Sequence, residues 1–560
     1  MTAGTSRGAR ESQPPSGTHA GAPLFALYPI FFAAVYLSHV TLLRLPYFWD
    51  EAGYYIPAAW DFFRTGTLIP VTTASNAHPP LPSILLAGWW HLFGFSPVST
   101  RTLVCLVAAA GLLAVYRMAR LLMSAPAAAV LAALTGLYPV WFAQSTLAHA
   151  DIFAAAFVLW GLALYLDGIA LDGIAARDSL LPRSSRLRTG AAILFSLGAL
   201  AKETAIITPL ALAAWECALW IREGASRTGV SEGSRPENSR LRWVAALLFP
   251  ALPLAAWYGY HFHRTGFVFG NPEFLRYNAT DNFNPQRIGL CLYHRLLHLT
   301  MHMNMFVAVT CAAAAWLAPA IASRSRLPRA VIEAVSVVLL ANWIAFSVLG
   351  GALLTRYLLP MYPLVLLICV AEWRLHFRAW GWLAAFSAAA FLAGLWINPP
   401  YAFAPEDNLT YRDFVVLHQR AVAYISHNYP QATVLTAWPA TAELARPELG
   451  YTKEPVKTYA VRNFTLDAVE KAAANPGEYD TALVFSTKLT PPVHFSKRIQ
   501  RMPSAADRRY FDFHDDLQPH QMAAMLHGDI VWQQRDRSGE WVAVLRFPRV
   551  VNAEMDLPVH

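Results

Sequence analysis

Residues 46–82 read PYFWDEAGYYIPAAWDFFRTGTLIPVTTASNAHPPLP, and the fold follows from how this stretch is read. It begins where a first apolar run ends. Two adjacent acids, Asp50 and Glu51, lie among Tyr47, Phe48, Trp49, Tyr54 and Tyr55, and the stretch closes on His78-Pro79-Pro80-Leu81. Aromatic rings suit the headgroup level of a bilayer. A carboxylate held at that depth is costly unless it is used. Taken alone, Asp50 would serve equally well as a helix cap, so the rest of the chain has to decide between cap and site.

The chain is 56% hydrophobic and 14% charged, against roughly 25% charged residues in soluble proteins. This points to a membrane protein with some soluble mass attached. Five cysteines, none after Cys369, outline neither a disulfide framework nor a metal cluster. The net charge of +8 does not imply a nucleic-acid partner, because most arginines lie between apolar runs and so reflect membrane topology. Residues 1–22 are polar and rich in Pro and Gly, and read as a disordered cytoplasmic tail.

Apolar runs of spanning length, about 20 residues, fall near 24–44, 98–120, 126–144, 150–168, 189–201, 204–221, 243–262, 301–321, 331–349, 354–372 and 380–398. They predict a polytopic α-helical domain, residues 23–399, with about 11 transmembrane helices. Region 189–221 is either a hairpin or one broken span. Residues 83–95 read as an interfacial helix, making 46–97 the first outer loop. With the N-terminus inside, the arginine pairs Arg117/Arg120, Arg183/Arg186, Arg222/Arg240, Arg324/Arg326 and Arg374/Arg378 all fall in inner loops, as the positive-inside rule requires. The Asp50 loop, the 263–300 loop and everything from residue 400 are then outside. Residues 400–560 alternate helix and strand, with helices at 411–428 and 465–474, strands at 432–439 and 479–487, and a hairpin at 529–547 turning at Ser538-Gly539. They form an α/β domain without a nucleotide-binding fingerprint.

This topology gathers Asp50, Glu51, Asp61, His78, His149, Asp151, Lys202, Glu203, Glu273, Asp281 and Arg356 at one face. Two carboxylate sites, Asp50 and Asp151, joined by two basic ones, Lys202 and Arg356, suit transfer of a group from a phosphate-linked donor. A carboxylate takes the acceptor's proton, and Lys and Arg hold the departing phosphate.

Four segments then resemble, in order, the GT-C glycosyltransferases, in particular the protein O-mannosyltransferase and lipid A aminoarabinose transferase branch: FWDEAGYY (48–55), AHPPLPSILLAGWW (77–90), AHADIFAAAFVLWGLALYL (148–166) and TRYLLPMYPLVLL (355–367). GALAKETAIITPLAL (198–212) is a looser match, with Glu203 where the family pattern has glycine. The resemblance implies a polyprenyl-phosphate sugar donor, a lipid, glycan or protein acceptor, and inversion at the anomeric carbon. Asp50 becomes the catalytic carboxylate, supported by Glu51. Asp151, Lys202, Glu203, Arg356, Tyr357, His78 and Tyr54 become the substrate-binding set. Some relatives use a divalent metal ion, although no metal-ligand spacing stands out here. The implied location is the bacterial inner (cytoplasmic) membrane, with the site and the C-terminal domain on the periplasmic side. Two rival readings remain at this point: a transporter of a lipid-linked or anionic substrate, and a non-catalytic envelope assembly protein of the same fold.

Overall fold

The structure, a computed structural model, describes residues 24–73, 75, 78–174, 181–226, 239–270, 272, 275–276, 279–487, 508–511, 514 and 516–548. The tail 1–22, Glu273 and the side chain of Asp281 lie outside the described residues.

The apolar runs form helices. Among the described residues, six are long and apolar enough to cross a membrane: Pro97–Leu122, Ala150–Leu171, Glu203–Glu223, Ser239–Thr265, Pro285–Ala315 and Arg329–Val348. Each overlaps an expected span, five of them over nearly the whole run. Leu24–Ser38, Leu81–Phe93, Ala125–Leu137 and Trp380–Gly394 are shorter apolar helices, the second being the expected interfacial one. Region 189–221 resolves into two helices, Leu181–Ala201 and Ile207–Ser226, joined through Lys202 and the short turn Glu203–Ile206.

One boundary departs from the sequence reading. Residues 285–300 were expected in an outer loop, yet Pro285–Thr300 is helical and runs into Met305–Ala315 across a kink at Met303 (φ 46°). Arg287 and Arg295 lower the hydropathy of this segment, but both are buried. Arg287 Nη2 donates to the Gly350 carbonyl at 2.7 Å and Arg295 Nη1 to that of Leu354 at 2.5 Å. Similarly, Arg264 belongs to the last turn of the helix Ala251–Thr265 rather than to a loop.

Local sequence explains the helix ends. Ser96 caps Pro97–Leu122, its side chain accepting the Ser99 N–H at 3.1 Å, with Pro97 at the first helical position. The helix Ile56–Thr65 stops at Gly66, whose φ of +72° disfavours any other residue. Helices Ala150–Ile174 and Leu181–Ala201 approach closely because Gly161 has no Cβ; one built there would fall 2.8 Å from the Phe195 ring. Small residues serve this purpose in membrane helix packing, where no hydrophobic force drives helices together.

The C-terminal region contains a five-stranded sheet. Its strands are β1 (Val434–Ala437), β2 (Thr458–Val461), β3 (Thr481–Phe485), β4 (Asp529–Arg535) and β5 (Trp541–Arg546), in the order β2-β1-β3-β5-β4. β1 runs parallel to β2 and β3, with Val434 opposite both Thr458 and Thr481. β5 is antiparallel to β3 and β4. The helix Thr410–Asn428 packs its apolar side on β4 and β5. Gly539, at φ +91°, lies in the β4–β5 turn. β2 escaped the sequence reading because it is only four residues long and partly exposed.

Candidate active site

The Asp50 loop starts under strain. Trp49 has φ +42°, a region that bulky residues rarely occupy. It is followed by a single π-helical turn, Glu51–Tyr55, a feature often found at functional sites. These two irregularities turn Asp50 and Glu51 in different directions.

Glu51 is sealed inside the protein. Its Oε2 accepts the Phe48 N–H at 2.9 Å, and its Oε1 accepts the Ala148 N–H at 2.7 Å. Arg101 Nη2 lies 3.3 Å from Oε2, and both side chains are fully buried. Arg101 also donates to the carbonyls of Thr146 (2.6 Å) and Pro46 (2.7 Å). Glu51 thus ties the start of the Asp50 loop to the turn that precedes Asp151. It occupies a closed structural network and does not reach Arg356, the partner of Asp50.

Asp50 faces the opposite way, onto Arg356. This arginine lies in the short turn Thr355–Leu358, just ahead of the helix Tyr362–His376. Its guanidinium is a hub. Nη2 donates to Asp50 and Nη1 to Glu406, while Nε lies 3.3 Å from Asp151. Lys202 Nζ reaches Asp151 at 2.5 Å and stands 4.1 Å from the centre of the Tyr357 ring, a cation–π distance. Asp50, Asp151, Lys202, Arg356 and Tyr357 are therefore drawn together from four distant parts of the chain. Asp151, Lys202, Arg356 and Tyr357 line a cleft of about 330 Å³ that runs to an apolar wall including Val158 and Phe346, and Asp50 reaches this group through Arg356.

A second cleft, of about 450 Å³, is lined by Tyr54, Tyr55, His78 and Trp257. There His78 Nδ1 meets Glu203 at 2.8 Å and the His78 ring stacks on Tyr55 at 6.0 Å. Lys202 and Glu203 therefore take different partners rather than each other. His149 is buried beside Tyr55, its Nδ1 2.9 Å from Gln144. Burial and the nearby Arg356 and Lys202 hold it well below the usual histidine range, so it is neutral. Asp61 stands apart, accepting the N–H groups of Val71 and Thr72 at 2.8 Å each and so folding its own loop.

Glu406 was missed in the sequence, as were the roles of Asp407 and Tyr55. Glu406 and Asp407 lie in the turn Pro405–Asp407. Glu406 pairs with Arg356 while Asp407 accepts from Thr355, and His302 Nε2 lies 3.0 Å from Asp407. Two consecutive residues on one turn thus hold two consecutive residues on the other. The available signal was an adjacent acid pair just beyond the last apolar run, mirroring Asp50-Glu51 beyond the first. Burial is the main influence on Glu406 and pushes it up to about 8; Arg356 opposes the rise, and Asp50, Asp407 and Asp151 add to it.

The residues do not fit a divalent metal. The converging carboxylates are each held by Arg356, and Asp151 by Lys202 as well, so cationic side chains stand where an ion would. Among the described residues no three His, Cys, Asp or Glu side chains are arranged as ligands.

Residues 77–228 match the family described as dolichyl-phosphate-mannose-protein mannosyltransferase. The matched segment holds His78, Asp151, Lys202 and Glu203 and excludes Asp50 and Arg356. No protein of curated function matches the sequence. Among solved structures, the chain is similar to ArnT from Cupriavidus metallidurans bound to undecaprenyl phosphate. The identity is 14%, the match covers 93% of this chain and 97% of that one, and the TM-score is 0.56. The apo form of the same protein gives 13% identity, 93% and 98% coverage, and a TM-score of 0.55. An Archaeoglobus fulgidus oligosaccharyltransferase shares 12% identity over 83% of this chain and 68% of its own, with a TM-score of 0.45. The chain thus has the fold of the ArnT structures over nearly its whole length, and its residues 77–228 match the dolichyl-phosphate-mannose-protein mannosyltransferase family.

Proposed function

We propose that the chain is an inverting glycosyltransferase of the inner membrane, moving a sugar from a polyprenyl-phosphate carrier to an extracytoplasmic lipid, glycan or protein acceptor. One observation carries this reading. Asp50 and Asp151 share the Arg356 guanidinium at the charged end of a cleft whose far wall is apolar. A lipid phosphate needs that combination: cations for the headgroup and an apolar wall for the chain. The undecaprenyl phosphate in the structure of similar fold supports the same donor class.

The chemistry follows from the hub. In the site as it stands, Asp50 is engaged by Arg356. A donor phosphate entering beside Lys202 and Arg356 competes for that guanidinium and frees the Asp50 carboxylate. Asp50 then takes the proton of the acceptor's nucleophilic group. The acceptor atom bonds the anomeric carbon from the face opposite the phosphate, so the configuration inverts. The bond from that carbon to the phosphate oxygen breaks, and its electron pair stays on the phosphate, held by Lys202 and Arg356 through charge-assisted hydrogen bonds. Asp151 fixes the two cations relative to each other. Glu51 holds the loop and takes no part in the proton transfer.

Glu406 sets the charge of the site. With Glu406 protonated, Asp50 and Asp151 balance Lys202 and Arg356. Once it ionises, the site gains a negative charge that opposes the donor.

The test is mass spectrometry of envelope lipids, glycans and proteins from cells with and without the chain, together with release of polyprenyl phosphate by purified protein. Loss of one glycosylated species, and donor turnover by the purified protein, support the reading. An unchanged envelope and no turnover would overturn it.

A further inference from the structure

The C-terminal domain grips the Asp50 loop at several points. Trp438, directly after β1, meets the Trp49 ring edge-on, with centroids 5.1 Å apart, and the Tyr54 ring at 5.8 Å. Gly53 lies beneath its indole: a Cβ at that position would fall 2.6 Å from Cζ2 and Nε1 of Trp438, closer than any side chain tolerates. The Leu449 carbonyl accepts the Tyr47 N–H at 3.2 Å, and the Tyr451 hydroxyl donates to the Tyr47 carbonyl at 3.1 Å. Arg446 donates to Thr72 at the far end of the loop. Phe414 packs edge-on to both Phe48 (5.5 Å) and Trp49 (5.6 Å). Between these contacts lies Trp49, at φ +42°. Such a conformation costs roughly 1–3 kcal/mol and persists only where the surroundings enforce it.

We infer that Trp438 is a positioning residue, through which the C-terminal domain holds the strained Trp49–Gly53 turn and so aims Asp50. The inference rests on the glycosyltransferase reading for its effect on rate, but the contact itself stands independently of that reading. Trp438 touches no reacting atom and acts through Trp49 and Gly53. Misplacing a catalytic group by about 1 Å can cost on the order of a hundredfold in rate.

The experiment is a double-mutant cycle on the full chain. Trp438→Ala lowers kcat by about 10- to 100-fold and leaves the donor KM within about twofold, because Lys202 and Arg356 are untouched. Gly53→Ala lowers kcat through its clash with the indole. In the Trp438→Ala background the same methyl group meets no ring, so the double variant is no slower than Trp438→Ala alone. Trp438→Phe recovers part of the rate. Losses of the two single variants that multiply, or a Trp438→Ala protein with wild-type kcat, would overturn the inference. A readout independent of activity is amide exchange over residues 47–54. Faster exchange there in Trp438→Ala, with the membrane helices unchanged, supports the contact even if the wild-type protein transfers no sugar. Unchanged exchange at those amides overturns the inference, whatever the transfer assay gives.

Discussion

Asp50 and Glu51 are neighbours in sequence with opposite surroundings. The Glu51 side chain is fully buried, and both of its oxygens take backbone N–H groups while Arg101 closes the network. The Asp50 side chain keeps 19% of its surface exposed and leans on a single cation, Arg356, which itself lines a cleft. One carboxylate is saturated and holds two segments together; the other can exchange its partner. An acidic pair in a sequence does not have to act as a pair. The strained turn at Trp49 sends one member into the scaffold around Arg101 and the other onto Arg356.

This contrast can be broken from the Glu51 side, where the largest effect is expected. Glu51→Ala leaves Arg101 buried without its carboxylate, and breaking a buried pair costs about 3–5 kcal/mol. The expected result is a steep fall in folded protein and in Tm in detergent. A stable Glu51→Ala protein with low turnover would move Glu51 into the chemistry. Next in size is Arg356→Ala. Losing a charge-assisted contact to the donor phosphate costs about 1.5–3 kcal/mol, roughly a 10- to 150-fold loss of donor affinity. Arg264→Ala, at the exposed end of its helix, should change affinity little. Titration of both variants with polyprenyl phosphate checks this, and equal losses would remove Arg356 from the phosphate site.

The smallest effect concerns Glu406. Its folded pKa is raised to about 8, so across the window from the ordinary carboxylate range to about 8 the folded protein holds a proton that the unfolded chain has released. Stability therefore falls as pH rises through that window and levels off above it. Donor affinity weakens above about pH 8, as the site gains a charge, by at most about tenfold per pH unit for a single proton. Glu406→Gln should flatten both profiles. Identical profiles in wild type and variant would remove Glu406 as the titrating group.

Much of this arrangement was legible in the sequence. Asp50, Asp151, Lys202 and Arg356 each lie at the end of an apolar run, so alternating topology alone brings them to one side. The short turns Glu203–Ile206 and Thr355–Leu358 then aim the cations. What escaped lacks such periodicity. Glu406 sits in an ordinary-looking Ala-Pro-Glu-Asp-Asn stretch and is recognisable only once its turn is folded against Thr355-Arg356. The helix Pro285–Thr300 was hidden because its arginines read as loop residues, although carbonyl groups of the 350–354 segment satisfy them inside the protein. Trp438 looked like the end of a strand, and nothing local shows that it rests on Gly53.

The most direct test of the account is the behaviour of Asp50→Asn in the purified protein. The substitution keeps the shape and removes the charge. The account predicts a wild-type melting temperature, donor affinity close to normal, and sugar transfer slowed by at least about a hundredfold, as expected on loss of a positioned general base. Transfer at near wild-type rate by a folded, donor-binding Asp50→Asn protein would contradict it.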